Sequence, residues 1–226
     1  VVSMEDRILA MCELSNDLLF HKIPRERLGY YVDASLEAGR SAAKCFSGRS
    51  IRELYEEYGI AIRHAGSGKG SFGVTLRGQA VLSETECAVE VYDESIRTLA
   101  ESSRYQGCTL TTDEALDAHL AHEFFHFWEF HEHSSIVDRL EGVTSFSLFG
   151  WKRTAHIHRC GEIAAHAFAK QVAALPELPN LYDYLYLIHT GKMTPAEFDA
   201  LLARMRAMLG ADEEKENIRS MEGSGT

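Results

Sequence analysis

Within one stretch of helical periodicity the chain reads His122-Glu123-Phe124-Phe125-His126, and this H-E-x-x-H constrains the fold more than any other feature. Residues four apart on an α-helix point the same way, so both imidazoles can reach one metal ion. Glu123 lies about 100° round the helix from His122, where its carboxylate faces an ion-bound water without ligating the ion. Imidazole is a borderline-soft donor and suits Zn2+, although other divalent transition metals accept the same ligands. Thr112 is the expected N-cap of this helix. Asp113 and Glu114 complement its dipole, and the helix is expected to run to about Glu132.

Two histidines do not complete a catalytic zinc site, which takes three protein ligands and keeps one position open. The extended motif with a third histidine fails here, because Glu129 and Glu132 stand where glycine and histidine belong. The better candidate is Glu162, on a second expected helix from His158 to Leu175. That helix carries Ala164, Ala165, Ala167 and Ala169, small residues expected to let it pack closely on the first. His166 follows Glu162 by four and shares its face, so it is expected to hydrogen-bond a ligand from behind or to line the helix surface. His119, Tyr184 and His189 are further candidates for the rim of the site or for an oxyanion donor.

The rest of the chain reads as helices, then a small sheet, then helices. Helices are expected over Glu5–Phe20 and Arg25–Phe46, the latter interrupted or ended by Gly39 and Gly48. Ser50 and Glu53 form a capping-box signature for a short helix over Ile51–Tyr58. Short β-type runs follow at Ile60–His64, Gly73–Leu76, Ala80–Leu82 and Ala88–Tyr92. The intervening Gly66-Ser67-Gly68-Lys69-Gly70-Ser71 lacks the register of a phosphate-binding loop and reads as a turn. Asp93–Ser103 returns to helix, Ser134–Ala155 is mixed with a strand or ordered loop at Val143–Leu148, and Leu181–His189 is helical. Thr194 and Pro195 open the last helix, with Gly210 beyond its end. The pattern is α+β in one domain over residues 1–210, with a charged, Gly/Ser-ended tail at 211–226 expected to be unstructured.

Composition narrows the function classes. The 226 residues include 23 basic and 34 acidic side chains, a net charge of −11, so a broad basic face for nucleic acid is not expected. No apolar run reaches the ~18–20 residues a membrane span needs. Val1–Asn16 lacks a signal-peptide pattern. Five cysteines without a C-x-x-C pair read as reduced thiols, and together these features point to the cytoplasm. Most histidines outside the motif read as surface groups, His131 and His133 at the helix end among them. Phe124, Phe125, Phe127, Trp128 and Phe130 read as core.

On these residues the chain resembles the ImmA/IrrE-type metallopeptidases, a gluzincin-like group of zinc peptidases. The resemblance rests on the H-E-x-x-H at His122–His126 and on an E-x-x-A-x-x-F-A at Glu162, Ala165, Phe168 and Ala169. Ser50–Ile60 looks like the family's entry from helix to strand, and the resemblance covers roughly Ser50–Leu175. It implies a zincin-like fold with a small mixed or antiparallel sheet, and zinc held by His122, His126 and Glu162 with Glu123 as the catalytic base. It also implies a protein or peptide substrate among intracellular regulators, typically a helix-turn-helix repressor cut once. Where many members carry asparagine or aspartate four residues after the glutamate, this chain has His166. A zinc-bearing regulatory protein with little or no hydrolysis is the alternative, and the intact Glu123 speaks for the enzyme.

Overall fold

The computed structural model describes residues 3–66, 77–82, 87–104, 109–132, 135–148 and 151–223, which combine many helices with two small sheets. Helix α1 (Met4–Leu14) starts at Ser3, whose side chain accepts the Asp6 amide. It ends well short of Phe20. Ser15 Oγ donates to the Cys12 carbonyl and Asp17 Oδ1 accepts the Leu19 amide, local bonds that compete with further helix.

Helix α2 (Leu28–Lys44) runs straight through Gly39. A Cβ at Gly39 would collide with the Ala164 carbonyl and the Ala167 side chain, so this glycine permits a close helix crossing rather than a break. Helix α3 (Ile51–Glu57) has the expected capping box, with Ser50 and Glu53 bonded reciprocally.

Strands β1 (Ala61–Ala65), β2 (Gly78–Leu82) and β3 (Cys87–Tyr92) form a mixed sheet with β3 in the centre. Strand β1 is parallel to β3, with Ala61 opposite Ala88, and β2 is antiparallel to β3, with Ala80 opposite Val89. The strand expected at Gly73–Leu76 and all of the glycine-rich turn after Gly66 lie outside the described residues.

Helix α4 (Asp93–Ser103) is followed by the long α5 (Thr112–His131). The N-cap of α5 is Thr111, one residue before the expected Thr112. Thr111 Oγ1 accepts the Glu114 amide, and the Glu114 carboxylate accepts the Thr111 amide in return. After the short α6 (Ile136–Arg139), strands β4 (Val143–Leu148) and β5 (Trp151–Ala155) pair as an antiparallel hairpin. Residues 151–154 of β5 are all exposed, so the strand has no buried face to produce an alternating pattern in sequence.

Helices α7 (Arg159–Val172), α8 (Asn180–His189) and α9 (Pro195–Gly223) complete the chain. Thr194 caps α9 reciprocally with Glu197. Helix α9 continues past Gly210, and the segment expected as an unstructured tail is helical to Gly223. One internal glycine costs a helix only about 1 kcal/mol, and the alanine, glutamates, lysine, arginine and methionine that follow are strong helix formers.

The core lies where α1, α2, α5 and α7 meet the sheet. Phe46 of the α2–α3 loop meets Phe124 of α5 and Phe168 of α7 edge-on. Among the described residues no helix is long and apolar enough to cross a membrane.

Candidate metal centre

Helix α5 carries its two motif histidines at mid-length, one turn apart, held by a buried aromatic face. Phe124 and Phe125 are buried, and the buried Tyr55 hydroxyl donates to the Leu120 carbonyl within the same helix. With that face fixed against the core, His122 and His126 project from the other side, their Nε2 atoms 3.2 Å apart. Phe130, expected in the core with the other aromatics, is instead 70 % exposed.

Glu162 arrives from the first turn of α7. Its carboxylate oxygens lie 3.3 Å from His122 Nε2 and 3.6 Å from His126 Nε2. His122, His126 and Glu162 thus form a group that could hold a metal ion, one ligand atom from each within 4.8 Å of the others. Helix α7 has no side-chain cap of its own. Its Arg159 amide donates to Asp17 Oδ2, and the Arg159 guanidinium donates to Glu13 at 2.8 Å. Glu13 of α1 and Asp17 of the turn after it therefore anchor the turn that carries Glu162. The alanines expected to pack on α5 are shared differently, since Ala164 and Ala167 meet Gly39 of α2.

Electrostatics within the cluster follow burial and proximity. Its hydrogen bond to His122 holds the Glu162 carboxyl well below the usual carboxylate range. Burial opposes the charged form of His122, but the Glu162 carboxylate outweighs it and raises the imidazole above its ordinary value. Burial depresses His126 to about 4 and His119 to about 3, and pushes His166 well down, leaving all three neutral near pH 7. Neutral imidazole is the form that ligates a metal. Glu123 is raised by burial.

A cavity of about 280 Å³ opens against this cluster, with His122, Glu123 and Glu162 in its wall. His166 and His119 also line it. The His166 ring centroid stands 4.8 Å from that of His122, and the residue is buried, 8 % exposed. Among the described residues, His166 Nδ1 and His119 Nε2 have no hydrogen-bond partner. His119 abuts β2 at Gly78, where a Cβ would strike its ring.

Other candidates fall elsewhere. Tyr184 turns away, stacked on Phe198 with ring centroids 4.9 Å apart, while its neighbours Tyr182 and Asp183 line the cavity. His189 is exposed at the end of α8, and His131 is exposed at the end of α5. His156, expected on the surface, is half-buried with its Nδ1 2.9 Å from the Val137 carbonyl. Cys160 sits off the ligand face, as its helical offset from Glu162 implies, and is fully buried. His133 lies outside the described residues.

The sequence did not disclose two ion pairs in the cavity wall, Arg77 with Asp183 and Arg159 with Glu13. Both join residues far apart in the chain, and no local spacing marks them. Glu129, which displaces the glycine of the extended histidine motif, is buried and accepts the Ile136 amide at 2.7 Å, so it serves the turn after α5.

The chain has no significant match among models of known protein families, curated proteins or solved structures.

Proposed function

We propose that this chain is a zinc-dependent peptidase of the ImmA/IrrE type with a zincin-like arrangement. It cuts a peptide bond in an intracellular regulatory protein such as a helix-turn-helix repressor. The observation that carries the proposal is the close grouping of His122, His126 and Glu162 beside the half-buried Glu123 carboxylate. Zinc bonds of about 2.0–2.2 Å in a tetrahedron set neighbouring ligand atoms roughly 3.3–3.6 Å apart. His122 Nε2 and His126 Nε2 are 3.2 Å apart, Glu162 Oε2 lies 3.3 Å from the first and Glu162 Oε1 3.6 Å from the second, and one ligand atom from each residue lies within 4.8 Å of the others. Two imidazoles, one carboxylate and an adjoining cavity match a catalytic site, with its fourth position open, better than a closed structural one.

When bound there, zinc supplies a charge that polarises the scissile carbonyl and acidifies the attacking water. The protein's own groups do the rest. Glu123 accepts a proton from that water as its oxygen forms the new bond to the carbonyl carbon. Glu123 then delivers the proton to the amine nitrogen as the carbon–nitrogen bond breaks. Burial raises the Glu123 carboxyl, bringing its proton affinity nearer to what a base that must later act as an acid requires. His166 and His119, neutral and in the cavity wall, would serve as imidazole donors for the developing oxyanion.

Free thiols at Cys12, Cys45, Cys87 and Cys160 support a reducing, cytoplasmic setting. The net charge of −11 supports a protein substrate over direct contact with nucleic acid.

The test is a pair of variants assayed for bound metal and for cleavage of a co-expressed repressor. Glu123→Gln should keep the metal and lose hydrolysis by at least a hundredfold, in line with a lost general base. His126→Ala should lose both. Cleavage by Glu123→Gln at the wild-type rate would overturn the base role, and a wild-type protein that takes up no divalent metal would overturn the whole proposal.

A further inference from the structure

The turn between α2 and α3 borders a second cavity, of about 230 Å³, that shares no lining residue with the cavity at the candidate metal centre. Its wall is basic. Arg40 and Lys44 stand one turn apart on the same face of α2, and Arg49 joins them from beyond the turn. Among the described residues of this wall there is no aspartate or glutamate. The first cavity is built the other way, because Arg77 and Arg159 each pair with an acid in the same wall. A purely cationic hollow is unexpected on a chain with 34 acidic and 23 basic residues.

Local contacts account for two of the three cations. Lys44 lies in the last turn of α2, where a positive charge complements the helix dipole, and its ammonium is 3.6 Å from Glu37. Arg49 pairs with Glu57. Both acids stand outside the wall. Arg40 is half-buried and has no hydrogen bond or ion pair among the described residues, and Glu37 feels its charge without contact. Uncharged donors complete the lining. Gln171 reaches it from the last turn of α7, and Ser47 and Gly48 from the turn. Gly48 is left-handed, with φ at 80°, and its amide makes none of the backbone bonds that close the turn. Amides in such turns recur in anion sites.

We propose that this cavity binds phosphate, as the free ion or as the phosphoryl group of a small phosphomonoester. The proposal stands apart from the peptidase reading. Near pH 7 a phosphomonoester carries a charge of about −1.5 to −2, which suits several cations better than a monocarboxylate does. The unpaired Arg40 guanidinium offers the fork of donors that grips two phosphate oxygens. The volume falls below the ~300–1,000 Å³ of sites for drug-sized ligands, which favours a compact anion. Phe46 lies in the same wall and meets Phe124 of α5 and Phe168 of α7 edge-on. The ligand would therefore rest against the junction of the two helices that bear the candidate metal ligands.

The experiment is calorimetry on the full chain at constant ionic strength, with inorganic phosphate, glycerol 3-phosphate and acetate as probes. Phosphate or its ester should bind at least about tenfold more tightly than acetate. Arg40→Gln should weaken that binding roughly ten- to a hundredfold, the loss of a hydrogen bond to a charged group. Lys44→Gln should weaken it by a few-fold. Neither change should lower the melting temperature without phosphate by more than a degree or two, which controls for folding. Phosphate at about a hundred times its dissociation constant should raise the wild-type melting temperature by roughly 5–10 °C.

Tighter binding of glycerol 3-phosphate would assign the site to an esterified ligand, and equal binding would assign it to phosphate itself. His126→Ala, which removes a candidate metal ligand, should bind either probe as the wild type does. Loss of binding in that variant would place the anion at the metal centre and overturn the proposal. Undiminished binding in Arg40→Gln would overturn it too, as would acetate binding as tightly as phosphate. An equal loss in Arg153→Gln, an exposed arginine outside this wall, would show diffuse charge attraction in place of a site. Absence of binding by both phosphate probes at millimolar concentration would end the proposal outright.

Discussion

Helices α5 and α7 supply the same candidate metal centre and are held in opposite ways. Helix α5 is fixed by devices within its own sequence. It has a reciprocal cap at Thr111 and Glu114, two histidines one turn apart, and an aromatic face that fills the core. Helix α7 has no side-chain cap, and its position is set from outside. Asp17 and Glu13 hold its first turn, and Gly39 of α2 admits its backbone at close range. A candidate ligand pair specified by local spacing thus meets a third candidate specified by tertiary packing. The metal centre should be robust to damage at the first and sensitive to damage at the second.

Breaking the packing side should have the largest effect. Gly39→Leu forces a side chain into the Ala164 carbonyl, a contact with backbone that no rotamer can relieve. It should destabilise the protein by about 3 kcal/mol or more in urea unfolding. Metal retention should fall with it, because displacing α7 moves Glu162 and leaves both histidines in place. Unchanged stability and metal content in this variant would refute the idea that α2 sets the third ligand.

Cys160 reports on the same interface. Burial pushes its thiol up to about 11, so roughly one molecule in a thousand carries the thiolate at pH 8. Raising the pH increases that fraction tenfold per unit until the thiol titrates. In the native protein Cys160 should therefore resist iodoacetamide at pH 8 while the exposed Cys45 reacts, as followed by peptide mass mapping. Gly39→Leu should expose Cys160 to the reagent. Rapid native labelling at Cys160 would mean that α2 and α7 part readily.

The smallest effect is expected on the locally specified side. Thr111→Ala removes the cap of α5 and should cost about 1 kcal/mol of stability. Metal affinity should stay within a few-fold of wild type, since His122 and His126 lie three to four turns further along a helix pinned by Phe124 and Phe125. A large loss of metal in this variant would erase the contrast between the two helices.

The contrast also explains what could be read from the chain alone. The i, i+4 pair at His122 and His126, the Ser50 and Glu53 cap and the Thr194 cap are patterns within one or two turns, where local geometry dictates contact. Glu162 was legible as a ligand candidate because its helix could be recognised and a catalytic zinc site calls for a third protein ligand. Gly39 was misread as a break, since local propensity records the penalty of glycine in a helix and cannot see a carbonyl brought against it by a residue far down the chain. The pairing of Arg159 with Glu13 spans 146 positions and has no local signature at all. Tyr184 was named as an oxyanion candidate, but local pattern does not tell which side of α8 faces the cavity: Tyr182 lines it, while Tyr184 stacks on Phe198. The hairpin strand β5 went unseen because nothing covers it.

The clamp of Asp17 and Glu13 on Arg159 bears on how far the molecule can be trimmed. Residues 50–175 contain all three candidate ligands, His122, His126 and Glu162, together with Glu123. A minimal fragment cut to those limits would lack α1 and the turn after it, and with them both acids that orient the turn bearing Glu162. The amino-terminal segment is thus a remote support of the turn bearing Glu162, and truncation from that end would be felt at the cluster of His122, His126 and Glu162 before it was felt in the sheet.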